Sequence, residues 1–202
     1  MKRIGVLISG RGTNLQALID AERRGDLPGK IVVVISNKSK ALGLERAERA
    51  GIKTEVVTKI DYPERVDHDR RVAEILEENG VDLVVLAGYM RIITNELIDR
   101  FPNRIINIHP SLLPAFKGVD AQAQALEYGV RISGCTTHFV TEDPDGGPII
   151  LQAAVEVLQD DTVETLSDRI LKEEHRILVE SVRLFCEDRL TVEGRRVRIR
   201  SD

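Results

Sequence analysis

The stretch "RIGVLISGRGTNLQALIDAERRG", Arg3–Gly25, decides the fold. Ile4, Val6, Leu7 and Ile8 form a short, nearly continuous apolar run, as expected of a strand buried on both faces. A glycine-rich loop, SGRGTN (Ser9–Asn14), leads into the amphipathic NLQALIDAERRG, where Gly25 marks a helix stop. The same order then repeats. KIVVVISN (30–37) precedes ALGLERAERAG (41–51), TEVVT (54–58) precedes RRVAEILEENG (70–80), and DLVVLAGY (82–89) precedes NELIDRF (95–101) and RIINIH (104–109). Gly51 and Gly80 again stand where helices should end. Strands alternating with helices predict an α/β fold: an open, doubly wound, mostly parallel sheet with helices on both faces.

After Pro114 the pattern changes. AFKGVDAQAQALEYGV (115–130) reads as a loop and a short helix. SGCTTHFVT (133–141) and PIILQAAVEV (148–157) read as strands joined by the turn-rich EDPDGGP (142–148). A long helix spans 162–189, and 191–200 reads as a hairpin around Glu193-Gly194. The expected whole is one domain with a mixed C-terminal part.

Bulk properties narrow the function. Of 202 residues, 42% are hydrophobic, enough for one sizeable core. A net charge of −4 supplies no field for nucleic acid or anionic lipid, so an anionic ligand must be held by local groups. Aromatic residues make up only 3%, with no Trp, which argues against base stacking. No run approaches the roughly 18 apolar residues of a membrane helix, and the basic, apolar N-terminus reads as a strand, not a signal peptide. Cys135 and Cys186 offer neither a metal spacing nor a disulfide framework. A cytoplasmic protein with no nucleic-acid or membrane partner is expected.

The glycine loop suits an anion. Glycines let the backbone approach a ligand, and a helix N-terminus presents free N–H groups. A dinucleotide fingerprint would need a glycine where Leu15 stands and an acid where Ser36–Lys38 stand, and a P-loop would need Gly-Lys-Ser/Thr. A phosphate monoester on Gly12, Thr13 and Asn14 remains, beside the plain alternative of a capped tight turn.

In RIINIHPSLLP (104–114), Asn107 and His109 interrupt a buried strand near its end. Ligands of doubly wound sheets collect at the carboxyl ends of strands, and residues two apart in a strand share a side. An amide N–H stabilises an oxyanion, and an imidazole moves protons near neutral pH. Asp145 reaches the same cleft if the strand after it neighbours RIINIH; otherwise it is an ordinary turn aspartate. Glu174 falls within the apolar stripe Leu166, Ile170, Ile177, Leu178, Val182 and Phe185 of the long helix, which suggests a ligand partner or a rim position. Met90, Arg91 and Ile92 follow a strand at Gly88 and could wall a flat ligand or simply pack.

The motifs SGRGTN, LAGYMRI, NIHPSLLPAFKG, GCTTHFV and DGGPIILQ, in this order, resemble the phosphoribosylglycinamide formyltransferases among the folate-dependent formyltransferases. The resemblance covers essentially the whole chain. It implies the formyltransferase fold over 1–202, with 1–100 as the phosphate-binding part and 101–202 as the catalytic and folate-side part. It implies catalysis by Asn107, His109 and Asp145, ribonucleotide binding by Gly12, Thr13, Asn14 and Glu174, and folate binding by Arg65, Met90, Arg91, Ile92, Ile93 and Asn107. The implied donor is 10-formyltetrahydrofolate, the acceptor 5-phosphoribosylglycinamide, with no metal, in a monomer or homodimer. In that chemistry the acceptor amine attacks the formyl carbon, Asn107 and His109 stabilise the oxyanion, and Asp145 keeps the imidazole charged and oriented. A proton then reaches the departing folate nitrogen, directly or through water. GVDAQAQA (118–125) departs from the family in lacking a His often seen there.

Overall fold

The computed structural model describes residues 1–201. Among the described residues nine strands form a single sheet: β1 (Lys2–Ile8), β2 (Gly29–Ser36), β3 (Lys53–Val56), β4 (Leu83–Leu86), β5 (Ile105–His109), β6 (Ile132–Phe139), β7 (Ile149–Glu156), β8 (Leu190–Glu193) and β9 (Arg196–Ile199). Their order is β3-β2-β1-β4-β5-β6-β7-β9-β8. The first five are mutually parallel, and β6 and β7 add antiparallel. The C-terminal hairpin joins the same sheet, with Ile149 of β7 beside Arg196 of β9. The chain winds outward from β1 to β3 and then returns to β4 on the other side of β1, so the switch point lies between β1 and β4.

The helices are α1 (Thr13–Arg24), α2 (Leu42–Arg49), α3 (Arg65–Glu78), α4 (Asn95–Ile98), α5 (Ala121–Tyr128) and α6 (Val163–Cys186). Gly25, Gly51 and Gly80, the expected stops, all take left-handed backbone just past α1, α2 and α3. Helix α3 starts five residues before the periodic stretch that predicted it, which brings Arg65 into its first turn. Helix α4 is a single turn, shorter than expected.

Alternation along the parallel strands divides the core. Ile4, Val6 and Ile8 of β1 join Ile106 and Ile108 of β5 under α1 and α6. Leu7, Val84, Leu86 and Ile105 lie with Val72, Ile75 and Leu76 of α3 on the other face. Helix α6 begins with a capping box: Thr162 accepts from the Thr165 N–H, and the Thr165 hydroxyl accepts from the Thr162 N–H. Its buried stripe of Leu166, Ile170, Ile177, Leu178 and Val182 covers the sheet, and Glu174 is buried among them.

Leu18 of α1 has no exposed surface and sits in the α1–α6 core. Leu18→Ala is expected to lower unfolding free energy by about 3 kcal/mol, within the roughly 2–5 kcal/mol usual for buried leucine truncation. Urea denaturation checks this: the midpoint should fall with the slope unchanged.

Candidate active site

The site is assembled from the loops that follow β1, β4 and β5 at the carboxyl ends of parallel strands, together with the loop between β6 and β7. The loop after β1 and the loop after β4 meet at the switch point. There the Ser9 N–H donates to the Gly88 carbonyl (3.2 Å) and the Met90 N–H donates to the Ser9 hydroxyl (2.7 Å). The Ser9 hydroxyl in turn donates to Asn37 Oδ1 at 2.6 Å, tying in the end of β2.

Gly12 is the N-cap of α1 at φ 71°. A side chain there would be strained, and its Cβ would stand 2.6 Å from the Gly43 Cα of α2. No side chain among the described residues caps α1, so its first-turn N–H groups stand open, as an anion site needs. Asn14 does not cap the helix. Its Nδ2 donates to Glu174 Oε2 at 2.8 Å, joining the loop to α6 in a buried contact. Burial raises the Glu174 pKa, while the Asn14 hydrogen bond and the nearby His109 pull it back down. Asn14 Oδ1 is buried and has no partner among the described residues.

Asn107 and His109 share the face of β5 opposite Ile106 and Ile108. Asp145 reaches them by a route different from the expected one. Strand β7, which follows Asp145, does not neighbour β5, because β6 lies between. The 140–148 loop instead curls back over β6. The Phe139 N–H donates to the Pro148 carbonyl at 2.9 Å, and a Cβ on Gly147 would fall 1.8 Å from the Phe139 carbonyl oxygen. That close approach places Asp145 Oδ1 3.5 Å from His109 Nδ1. Asp145 Oδ2 accepts the Gly118 N–H at 2.9 Å, so one carboxylate anchors two loops. His109 is 4% exposed, and its Nε2 lies 2.9 Å from the Phe116 carbonyl. A carbonyl only accepts, so Nε2 carries a proton.

His138 is a member of the site that sequence reading missed. It stands directly across from Asn107 in the β5–β6 register, and Asn107 Nδ2 lies 3.2 Å from His138 Nε2. Its Nδ1 lies 3.0 Å from the Phe139 carbonyl and therefore bears the proton. Burial holds the His138 pKa below the ordinary histidine value, against smaller raising effects from Phe139 and Asp145. The neutral ring then accepts from Asn107, which fixes the amide orientation and leaves Asn107 a second N–H. The signal was available as a histidine in alternation with Thr136 in GCTTHFV, but its partner depended on strand register.

The 90–93 segment has mixed exposure. Met90 (69%) and Ile92 (60%) face solvent, Ile93 is buried in the core, and Arg91 keeps a buried Nε without a partner among the described residues. Arg65 is exposed and donates from Nη2 to the Ile92 carbonyl at 2.7 Å. Among the described residues no group of three or more His, Cys, Asp or Glu side chains is arranged to hold a metal ion. Among them, too, no helix is long and apolar enough to cross a membrane.

A doubly wound sheet with polar side chains gathered at its switch-point end defines an α/β protein with a ligand-binding cleft at that end. The chain belongs to the formyl transferase family, whose model matches residues 2–182. It is 45% identical over 190 residues to the phosphoribosylglycinamide formyltransferase of Haemophilus influenzae, covering 94% of this chain and 90% of that protein. It is 50% identical over 184 residues to the human trifunctional purine biosynthetic protein adenosine-3, covering 91% of this chain. The chain spans 18% of the length of that relative. The crystal structure of glycinamide ribonucleotide transformylase 1 from Symbiobacterium toebii superposes with a TM-score of 0.97 at 61% identity, covering 98% of this chain and 94% of that one.

Because His138 is held below the ordinary value of about 6.5, the unfolded chain takes up the proton first as pH falls. Its stabilising contribution is present above about pH 6.5 and declines below it. His175, also lowered by burial, acts with the same sign. The urea midpoint should fall between about pH 7.5 and about pH 5.5, and His138→Gln should flatten that fall without abolishing it.

Proposed function

We propose that the chain transfers the formyl group of 10-formyltetrahydrofolate to the amine of 5-phosphoribosylglycinamide, yielding the N-formyl ribonucleotide and tetrahydrofolate in de novo purine biosynthesis. The observation that carries this reading is Asp145 set against His109, with Asn107 on the same face of β5 and the Glu174 that Asn14 of α1 holds lying near His109. Family membership and the named relatives support it.

In this reading the open N-terminus of α1, at Gly12, Thr13 and Asn14, takes the substrate phosphate, and Glu174 takes a ribose hydroxyl. The polar atoms fit such a ligand: Asn14 Oδ1 has no partner among the described residues, and His109 is near enough to Glu174 to pull its raised pKa back down. The free N–H of Asn107 donates to the oxyanion that develops on the formyl oxygen. His109 Nε2 spends its proton on Phe116, so Nδ1, beside Asp145, is the nitrogen left for proton transfer. Asp145 holds the ring in place. Exposed Met90 and Ile92 give the folate an apolar wall, with Arg91, Ile93 and Arg65 completing that side. The enzyme is read as a single domain, cytoplasmic, a monomer or homodimer, acting on small molecules without nucleic acid.

Mixing the protein with both substrates should give the absorbance change of folate release, dependent on the phosphorylated acceptor. Full-rate formate release without acceptor would make it a hydrolase instead, and no turnover would sink the proposal. His109→Ala should cost about 10²–10⁴ in kcat, and Asn107→Ala about 10²–10³. Gly12→Ala, which strains the loop and strikes Gly43, should raise KM for the acceptor at least about tenfold while KM for the donor stays put.

A further inference from the structure

One turn of α3 grips the backbone of the segment just described from both polarities. Arg65 and Asp69, four apart, lie on one face of the helix. Arg65 Nη2 donates to the Ile92 carbonyl at 2.7 Å, and Asp69 Oδ2 accepts the Thr94 N–H at 2.6 Å. The two bonds straddle Ile93, whose side chain is buried in the core formed with α3. Unlike exposed Arg65, Asp69 is 1% exposed, so its charge is out of water and requires partners.

His68 supplies one. Its Nδ1 lies 3.2 Å from Asp69 Oδ1, and its Nε2 lies 2.9 Å from the Val57 carbonyl, just past β3. His68 has no exposed surface. A line of contacts thus runs from the end of β3 through His68 and Asp69 to the backbone at Thr94. Tyr89 Oη, just before the 90–93 segment, and Thr94 Oγ1, just after it, are buried without partners among the described residues. That segment is therefore held by its backbone bonds, to Ser9 at Met90, Arg65 at Ile92 and Asp69 at Thr94. A buried carboxylate spent on a loop N–H far away in sequence is costly unless the loop must be held in one conformation.

We propose that Asp69 is a positioning residue for the formyl donor: with Arg65 it clamps 92–94 and so sets the wall formed by Met90 and Ile92. This rests on the reading of 90–93 as the donor-binding segment. Asp69 touches neither substrate, and it acts through the backbone it holds. Removing it should therefore loosen donor binding and leave the phosphate side of the cleft, built on α1 and α6, alone.

Steady-state kinetics with both substrates tests this. Asp69→Ala is expected to raise KM for 10-formyltetrahydrofolate at least about tenfold, with kcat changed by less than about threefold and acceptor KM unaltered. Asp69→Asn guards against a folding artefact. Its Oδ1 can still accept from Thr94, and its Nδ2 can donate to a neutral His68 whose Nε2–H stays on Val57. Donor KM in that variant should return to within about threefold of the parent value. Equal rises in both KM values, an unchanged donor KM in Asp69→Ala, or an Asn variant no better than Ala would overturn the assignment. A parent protein that transfers no formyl group overturns the donor-site reading itself, and the two failures are distinguished by whether the parent turns over.

Discussion

The register that sets Asn107 of β5 opposite His138 of β6 is the constraint on which the site depends. Cross-strand neighbours in an antiparallel pair are held within side-chain reach by the backbone ladder. Here that reach is spent on a polar pair inside a mostly apolar sheet. The pair is tolerable because each nitrogen has an assigned role: the Phe139 carbonyl takes the His138 proton, and the bare nitrogen takes a proton of Asn107. A slip of one residue would send Asn107 and His109 to the isoleucine face and bury them without partners. The switch from parallel to antiparallel pairing at β5–β6 thus brings Asp145 to His109, since a further parallel strand would bring no returning loop.

The remaining polar groups follow the same logic of buried charges bound to something that matters. Glu174 is buried in the stripe of α6 and meets Asn14, the second residue of α1. Asp69 is buried beneath α3 and meets the backbone at Thr94. Each joins a helix to a loop of the cleft, one on each side of the sheet. Fixing a loop backbone costs conformational entropy in the free protein, which a ligand then does not have to supply. A preorganised cleft is the expected return.

Much of the architecture was legible in the chain. Runs such as KIVVVISN can only be strands covered on both faces, and Gly25, Gly51 and Gly80 mark helix ends because left-handed backbone is cheap there. The roles of Asn107, His109 and Glu174 as anomalies were also visible, since a polar residue inside an apolar period announces itself. The extension of α3 back to Arg65 was not, because PERVDHD carries little apolar periodicity and its helix is stabilised by tertiary contacts of His68 and Asp69. The hairpin at the C-terminus could be read, but its attachment to β7 through Ile149 and Arg196 could not.

Local sequence determined most of the elements, the two faces of the sheet and the chemistry at hand: an amide, an imidazole, carboxylates and a glycine-rich helix start. These follow from periodicity and backbone propensity, which act over a few residues. Tertiary structure alone decided that β6 lies between β5 and β7, that the Asp145 loop folds back because Gly147 can pass against Phe139, that His138 meets Asn107, and that Asp69 meets the backbone at Thr94. Those facts depend on strand order, register and close approach between segments distant in sequence, which no short window of residues encodes.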